Sequence, residues 1–478
     1  MRPKDIDHIG HLVGISYGRN VFNESVNGAR LRDVVFHVSW LFDNRGEWVD
    51  VGIATRVNGA APPEMALTDI DLGSDHFWSL DDAARDGAFA TLRREAPISF
   101  QPEPVSPGYQ VGSGHWALTK FDDVHHASRH PEIFSSRPTS VAINDTPPEV
   151  AEYFGSMITL DDPRHTRLRS LVNRAFTPKV VARVEDSVRD RARRLVTAML
   201  ANHPDGRCDL VAEFIGPLPL QIICDMLGIP EEDHQKVFHW TTVLMSIGDA
   251  DVIADFDEIY RLAMEIGGYG VALAEDRRAH PRDDLTTNLV RAEVDGERLT
   301  SDEIASFFIL LTAAGNETTR NAISHGMLAL TRYPEQRKRW WADFDGIAKT
   351  AVEEIVRWAS PIIYMRRTLT EDTEVSGTKM AAGDKVTMWY CSANRDEDKF
   401  ADAWTFDVRR NPNPQIGFGA GGAHFCLGAN LARREIAVAF DELRNRVPDI
   451  EVAAEPEMLH SPFVHGIKRL PVEWTPPV

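Results

Sequence analysis

The sequence predicts a mainly α-helical fold with small β-sheets, and three observations carry that reading. Helical patterns run almost without a break from about residue 182. One of them, over residues 301–331, is long and apolar on more than one side, as a helix at the centre of a fold must be. A glycine-rich loop ending in a single cysteine, Cys426, opens directly onto a further helical pattern at 429–446. Strand-like segments are short and lie early.

Taken from the start, residues 1–60 are polar and mixed, and they close on the turn-forming run Asn58-Gly59-Ala60-Ala61-Pro62-Pro63. They are expected to be a poorly ordered extension, with one domain over 61–478. The 478 residues are 43% hydrophobic and 26% charged, and the formal net charge is -20. That charge opposes nucleic-acid binding. The longest strongly apolar stretch, 304–314, is too short to span a bilayer, and residues 1–30 lack the apolar core of a signal peptide. A cytoplasmic protein without a transmembrane segment is expected. Cys208, Cys224, Cys391 and Cys426 form no C-x-x-C pair, which argues against structural zinc and against a disulfide framework.

A helix start is predicted after Pro163, and it places His165 and Arg169 on one face. The long helix begins at Ser301 with capping-box spacing between Thr300 and Glu303. In its middle lies Ala313-Ala314-Gly315-Asn316-Glu317-Thr318. Glycine costs a helix interior about 1 kcal/mol relative to alanine, and an unpaired acid in an apolar helix costs more. Small, small, acid, alcohol in that place suits a groove for a diatomic ligand, beside groups that manage protons. Glu354 and Arg357 share a helix face, and Arg410 is the candidate second partner for Glu354. Arg367 follows a short apolar segment, and His424 stands two residues before the cysteine. In the loop Phe418-Gly419-Ala420-Gly421-Gly422-Ala423-His424-Phe425-Cys426-Leu427-Gly428, glycines allow backbone N–H groups to approach the sulfur, and the following helix adds its positive end. A thiolate held that way ligates iron.

Together these motifs resemble the cytochrome P-450 family of haem-thiolate monooxygenases, over residues 70–474 and in the family's order. The resemblance implies that family's fold, with haem b between the long central helix and the cysteine loop and Cys426 as the axial metal ligand. Phe418 lies eight residues before Cys426 where the family usually has seven, a longer loop seen among actinobacterial lipid and sterol oxidases. Segments such as Arg410-Asn411-Pro412-Asn413-Pro414 and 463–468 look like the branch that hydroxylates the terminal (omega) methyl of methyl-branched lipids.

The resemblance further implies Glu317 and Thr318 as the acid–alcohol pair and His165, Arg169, Arg367 and His424 as holders of the haem propionates. It places Ala314, Phe418, Gly419 and Gly428 against the cofactor, and gives Glu354, Arg357 and Arg410 a structural role. Phe154, Met157, Ile158, Leu244, Leu310, Ile362, Ile363 and Phe463 are candidate walls of an apolar substrate site. Branched fatty acids, isoprenoids and sterol side chains such as that of cholesterol are the implied substrates. Electrons would come from a ferredoxin and its NAD(P)H-dependent reductase, docking on Arg164, Arg167, Arg174, Arg433 and Arg434. A peroxygenase using H2O2, and a non-catalytic haem or lipid carrier, are the rival classes.

Overall fold

The computed structural model of the chain describes residues 58–105, 112–139, 141–175, 178–245, 256–293 and 296–476. The predicted extension at 1–60 lies almost wholly outside the described residues. Within it the backbone forms two short antiparallel pairs, Phe36–His37 with Ile53–Ala54 and Trp40–Phe42 with Trp48–Asp50.

The predicted fold class holds: the chain is mainly helical, with small sheets at its flank. The early part is more helical than the sequence suggested. It holds α1 (Asp82–Glu95), α2 (Phe121–Arg129), α3 (Pro148–Gly155) and α4 (Arg164–Ala175). These helices are short or amphipathic, and their polar faces hid them beside the stronger patterns downstream. Asp81 caps α1 by accepting from the Ala84 N–H, and so satisfies one of the donors a helix start leaves free.

The central helix α5 spans Ser301–Arg332. Its capping box is reciprocal: Thr300 Oγ1 accepts from the Glu303 N–H at 3.1 Å, and the Glu303 carboxylate accepts from the Thr300 N–H at 2.9 Å. It ends before Pro334, whose ring disfavours the helical conformation of Tyr333. The helices at Pro217–Leu227 and Phe256–Ala279 pack against it, as do α6 (Phe344–Ala359) and α7 (Ala429–Arg446). The largest apolar cluster surrounds this helix, with Ile304, Phe307, Phe308, Ile323 and Leu330 all buried. Among the described residues no helix is long and apolar enough to cross a membrane.

One sheet has five strands, β1 (Ile98–Gln101), β2 (His115–Leu118), β3 (Phe134–Ser135), β4 (Tyr364–Leu369) and β5 (Lys385–Trp389), in the order β1-β2-β5-β4-β3. Central β5 runs parallel to β2 and antiparallel to β4, with Val386 opposite Arg367. All five residues of β5 are buried, as a strand covered on both faces requires. The register points Arg367 inward, at 5% exposure, towards the loop that carries the cysteine.

Candidate active site

The cysteine loop is a turn built by glycine and pinned at both ends. The Cys426 N–H donates to the Phe418 carbonyl at 2.9 Å, closing the loop on itself. Gly419 sits at φ +90°, a conformation that costs side-chain-bearing residues. Gly422 needs its missing side chain for a second reason: a Cβ there would stand 2.3 Å from the Ser128 carbonyl of α2. Ser128 Oγ in turn donates to the Gly421 carbonyl at 2.9 Å.

Helix α7 begins at Ala429, three residues past the cysteine, as the sequence predicted. Burial pushes the Cys426 thiol above its ordinary value. The Gly428 and Ala429 N–H groups at the helix start, and the guanidiniums of Arg169 and Arg433, pull the other way. A coordinated metal ion, which deprotonates such a thiol outright, is the missing term.

The four basic residues expected to bind propionates converge. The His165 and His424 rings lie 4.2 Å apart between centroids. Arg169 donates to the Phe425 carbonyl at 2.6 Å. His424 is driven down to about 2 by burial and by the charges of Arg367, His165 and Arg169. His165 is 2% exposed, yet neither ring nitrogen has a hydrogen-bond partner. The acid beside it, Asp162, stands 3.7 Å from Nδ1 and is mostly exposed. Buried cations and orphaned imidazoles want anions. Two carboxylates on one macrocycle, with an iron for the sulfur, supply what these residues lack, so the donor set fits haem.

Helix α5 carries the expected acid–alcohol pair. Ala314 is exposed, although most of its helix is buried, so it faces a space rather than the core. Gly315 is not forced by packing, since a Cβ there would meet Ile223 at an ordinary 3.5 Å. Thr318 Oγ1 donates to the Ala314 carbonyl at 2.9 Å, which commits its proton and leaves its lone pairs available as acceptors. Glu317 is 1% exposed, and burial raises its pKa despite the opposing charge of Arg320. Arg320 is in ion-pair contact with it, but no well-aligned N–H reaches either carboxylate oxygen. Reading the sequence missed Arg320. Its signal was there, because Glu317 and Arg320 repeat the Glu-x-x-Arg spacing that flagged Glu354 and Arg357.

On the cysteine side, Glu354 and Arg357 are both fully buried and joined by two hydrogen bonds, of 2.7 and 2.8 Å. Arg410 is the predicted third member, its Nε 3.1 and 3.2 Å from the two Glu354 oxygens. Asn413 and the Asp407 N–H complete the carboxylate's shell. Arg357 also donates to the carbonyls of Asn394, Ala403 and Thr405. These bonds tie α6 to the segment that leads into the cysteine loop.

Two sets of expectations need correction. Three members of the predicted basic docking patch are paired with acids. Arg164 pairs with Glu152 at 2.5 Å, Arg167 with Glu297 and Glu303 at 2.5 and 2.7 Å, and Arg433 with Glu353 at the start of its stack on Phe418, 4.4 Å from the ring centre. The Arg174 side chain lies outside the described residues. Among the wall candidates, Phe154, Ile158, Leu244, Leu310, Ile362 and Phe463 are half-buried, and Met157 is buried in the main core. Ile363 turns away from Ile362, as neighbours in extended chain do, and lines a different cavity, beside Trp78, His325 and His465.

Comparison with known proteins agrees with this geometry. Residues 108–443 match the profile of the family described as Cytochrome P450. The chain is 70% identical over 427 residues to the methyl-branched lipid omega-hydroxylase of Mycobacterium tuberculosis, covering 89% of this chain and all of that protein. It is 40% identical over 393 residues to the steroid C26-monooxygenase of Mycobacterium bovis, covering 81% of this chain and 89% of the other. Among solved structures it is similar to a Mycobacterium marinum cytochrome P450 in complex with pseudoionone. There the TM-score is 0.80 and the identity 40%, over 87% of this chain and all of that one.

Proposed function

The chain belongs to the cytochrome P450 family of haem-thiolate monooxygenases, and on that premise we propose that it hydroxylates the terminal methyl group of methyl-branched lipids. One observation carries the chemistry: a loop cysteine, met by two helix N–H groups, lies beside four convergent basic side chains, Arg169, Arg367, His165 and His424. When bound, the haem supplies the oxygen activation by which one atom of O2 enters a C–H bond.

The chain's own residues set the conditions. Cys426 would hold the haem iron through its sulfur, whose charge the N–H groups of Gly428 and Ala429 would temper. His165, Arg169, Arg367 and His424 would hold the haem through its propionates. Glu317 holds its proton more tightly than an ordinary carboxyl, which suits a proton donor working near neutral pH. Thr318 Oγ1 donates to the Ala314 carbonyl, so its lone pairs are free to accept a hydrogen bond, and it lies next along the chain from that donor. Phe154, Ile158, Leu244, Leu310, Ala314 and Ile362 wall the space apolarly. A terminal methyl has stronger C–H bonds than the chain interior, so orientation must override bond strength. The preference for a branched chain end rests on the 70%-identical relative's stated activity. A ferredoxin and its reductase are the proposed electron source, on the same family ground.

The test is product analysis. Purified enzyme, ferredoxin, reductase and NAD(P)H are incubated with a fatty acid methyl-branched next to its chain end, and with its unbranched isomer. The reading expects hydroxylation at the terminal carbon and at least about tenfold preference for the branched acid, a factor worth about 1.4 kcal/mol of orientation. Hydroxylation confined to interior carbons would refute it.

A further inference from the structure

A second cluster of metal-ligating side chains lies outside the site described above. Asp82 at the start of α1, His325 on the second half of α5 and His465 in the C-terminal segment each place one ligand atom within 4.8 Å of the others. They are 243 and 140 residues apart in sequence (82 to 325 and 325 to 465), so no local turn brings them together. We infer that Asp82, His325 and His465 form a binding site for a divalent transition metal ion, with zinc as the ion the donor set fits.

Hydrogen bonding around His465 is the first argument. Its Nδ1 lies 2.7 Å from the Ala359 carbonyl and its Nε2 lies 3.1 Å from Asp82 Oδ1. Both neighbours are acceptors. An Nδ1–H donated to a carbonyl is the arrangement that fixes the tautomer of metal-bound histidines. It leaves the Nε2 lone pair facing a carboxylate oxygen at a separation that two ligands of one metal ion also have. His325 is similarly oriented by a backbone carbonyl, with Nε2 3.2 Å from that of His465. The two rings stack at 3.9 Å, tilted by 35°.

Room and charge are the second argument. The cluster borders a cavity of about 70 Å³, space enough for a water molecule to complete a four-ligand shell. Three arginines also line the cavity, and each is engaged through its terminal nitrogens, though Nε of Arg332 and of Arg395 has no partner. Arg85 holds Asp82 Oδ1 at 2.5 Å, Arg332 holds Glu455 at 2.8 Å, and Arg395 donates to the carbonyls of Arg357 and Trp358. No contact to a side chain falls on Asp82 Oδ2 among the described residues, so that oxygen is open to a metal. Two imidazoles and one carboxylate with a water position match zinc. The ion would staple the segment after Phe463 to α1 and to the central helix.

Chelator-washed holoenzyme is titrated with ZnCl2 by calorimetry, and the metal retained after gel filtration is measured by mass spectrometry. The site predicts one zinc per chain, and at least tenfold weaker binding in each of His325→Ala, His465→Asn and Asp82→Asn. The thiolate-haem spectrum with carbon monoxide reports whether each variant is folded, and a variant that fails it is replaced by His325→Gln. The His126→Ala/His130→Ala double variant removes a surface histidine pair whose rings lie 4.2 Å apart, and it should leave the stoichiometry unchanged. No stoichiometric zinc, or zinc that follows His126 and His130 instead, overturns the proposal. The cluster would then be an imidazolium–carboxylate pair only.

Discussion

Replacing Glu354 with glutamine isolates what the buried charge network contributes. The substitution keeps the shape of the side chain and removes its charge. In the structure that carboxylate accepts from Arg357, Arg410, Asn413 and the Asp407 N–H, and both it and Arg357 are fully buried. Glutamine would leave two guanidiniums without a counter-charge, one fully buried and one 9% exposed. It would also turn an N–H2 group towards them. Breaking a buried pair on one side costs about 3–5 kcal/mol. A domain of about 400 residues unfolds with an entropy near 0.85 kcal/mol/K, so the melting temperature should fall by about 4–6 °C.

The comparison is Glu353→Gln, one residue away. Glu353 pairs with Arg433 where both side chains are partly exposed, and its loss should cost under about 1 kcal/mol, or about 1 °C. Thermal unfolding followed by circular dichroism at one scan rate measures both. Burial alone would raise the Glu354 pKa, but Arg357 and Arg410 outweigh it and hold the group below its ordinary value. Its stabilisation is therefore present above that value and is lost as pH falls through the folded pKa. The gap between Glu354→Gln and wild type should close in strong acid. Equal losses for the two variants at neutral pH would refute the reasoning, because burial would then not distinguish the pairs.

Two further outcomes follow from buried acids. Glu435, on α7 and 2% exposed, has an oxygen without a partner, and burial raises its pKa well above the ordinary value. The folded state then holds a proton that the unfolded state gives up, so this residue's contribution falls as pH rises from about 4.3, by up to about 1.4 kcal/mol per pH unit. Glu435→Gln should gain on wild type between pH 5.5 and 8 in urea unfolding, and parallel pH profiles would sink the idea. Separately, Glu317→Gln and Thr318→Ala should cut product per NAD(P)H consumed by about tenfold or more, the scale of a lost proton-transfer group, while cofactor consumption continues. Unchanged coupling of consumption to product would remove both residues from proton delivery.

The parts of this protein legible in its sequence are those where one physical demand dominates a short stretch. The capping box at Thr300 and Glu303 announces α5 because a helix start leaves donors that only certain side chains satisfy. The loop before Cys426 is readable because three glycines with positive φ and a helix start leave few other interpretations. Arg410 could be paired with Glu354 across 56 residues because a buried carboxylate next to one arginine calls for another partner. What stayed hidden depends on the third dimension. Arg164 and Arg167 look like a free basic face in sequence, and Glu152, Glu297 and Glu303 neutralise them only once the chain has folded. Ile362 and Ile363 look equivalent until the backbone direction turns Ile363 towards the cavity beside Trp78, His325 and His465.

The site is electrostatically incomplete as a polypeptide, and every defect points to the same missing group. Crowding by protein atoms raises the Cys426 thiol against the pull of the helix N–H groups and arginines around it, although the residue is exposed. His165 has two unsatisfied nitrogens, and His424 cannot take up a proton beside Arg367 and Arg169. A metal ion would relieve the first defect and a pair of carboxylates the others, but only a group carrying both relieves all of them in one binding event. Since a group that binds the folded chain and not the unfolded one stabilises it by mass action, the energy stored in these defects returns as stability of the holoprotein. Arg169 and Arg367, beside two imidazoles whose protonation they oppose, are thus the source of selectivity for an anionic macrocycle.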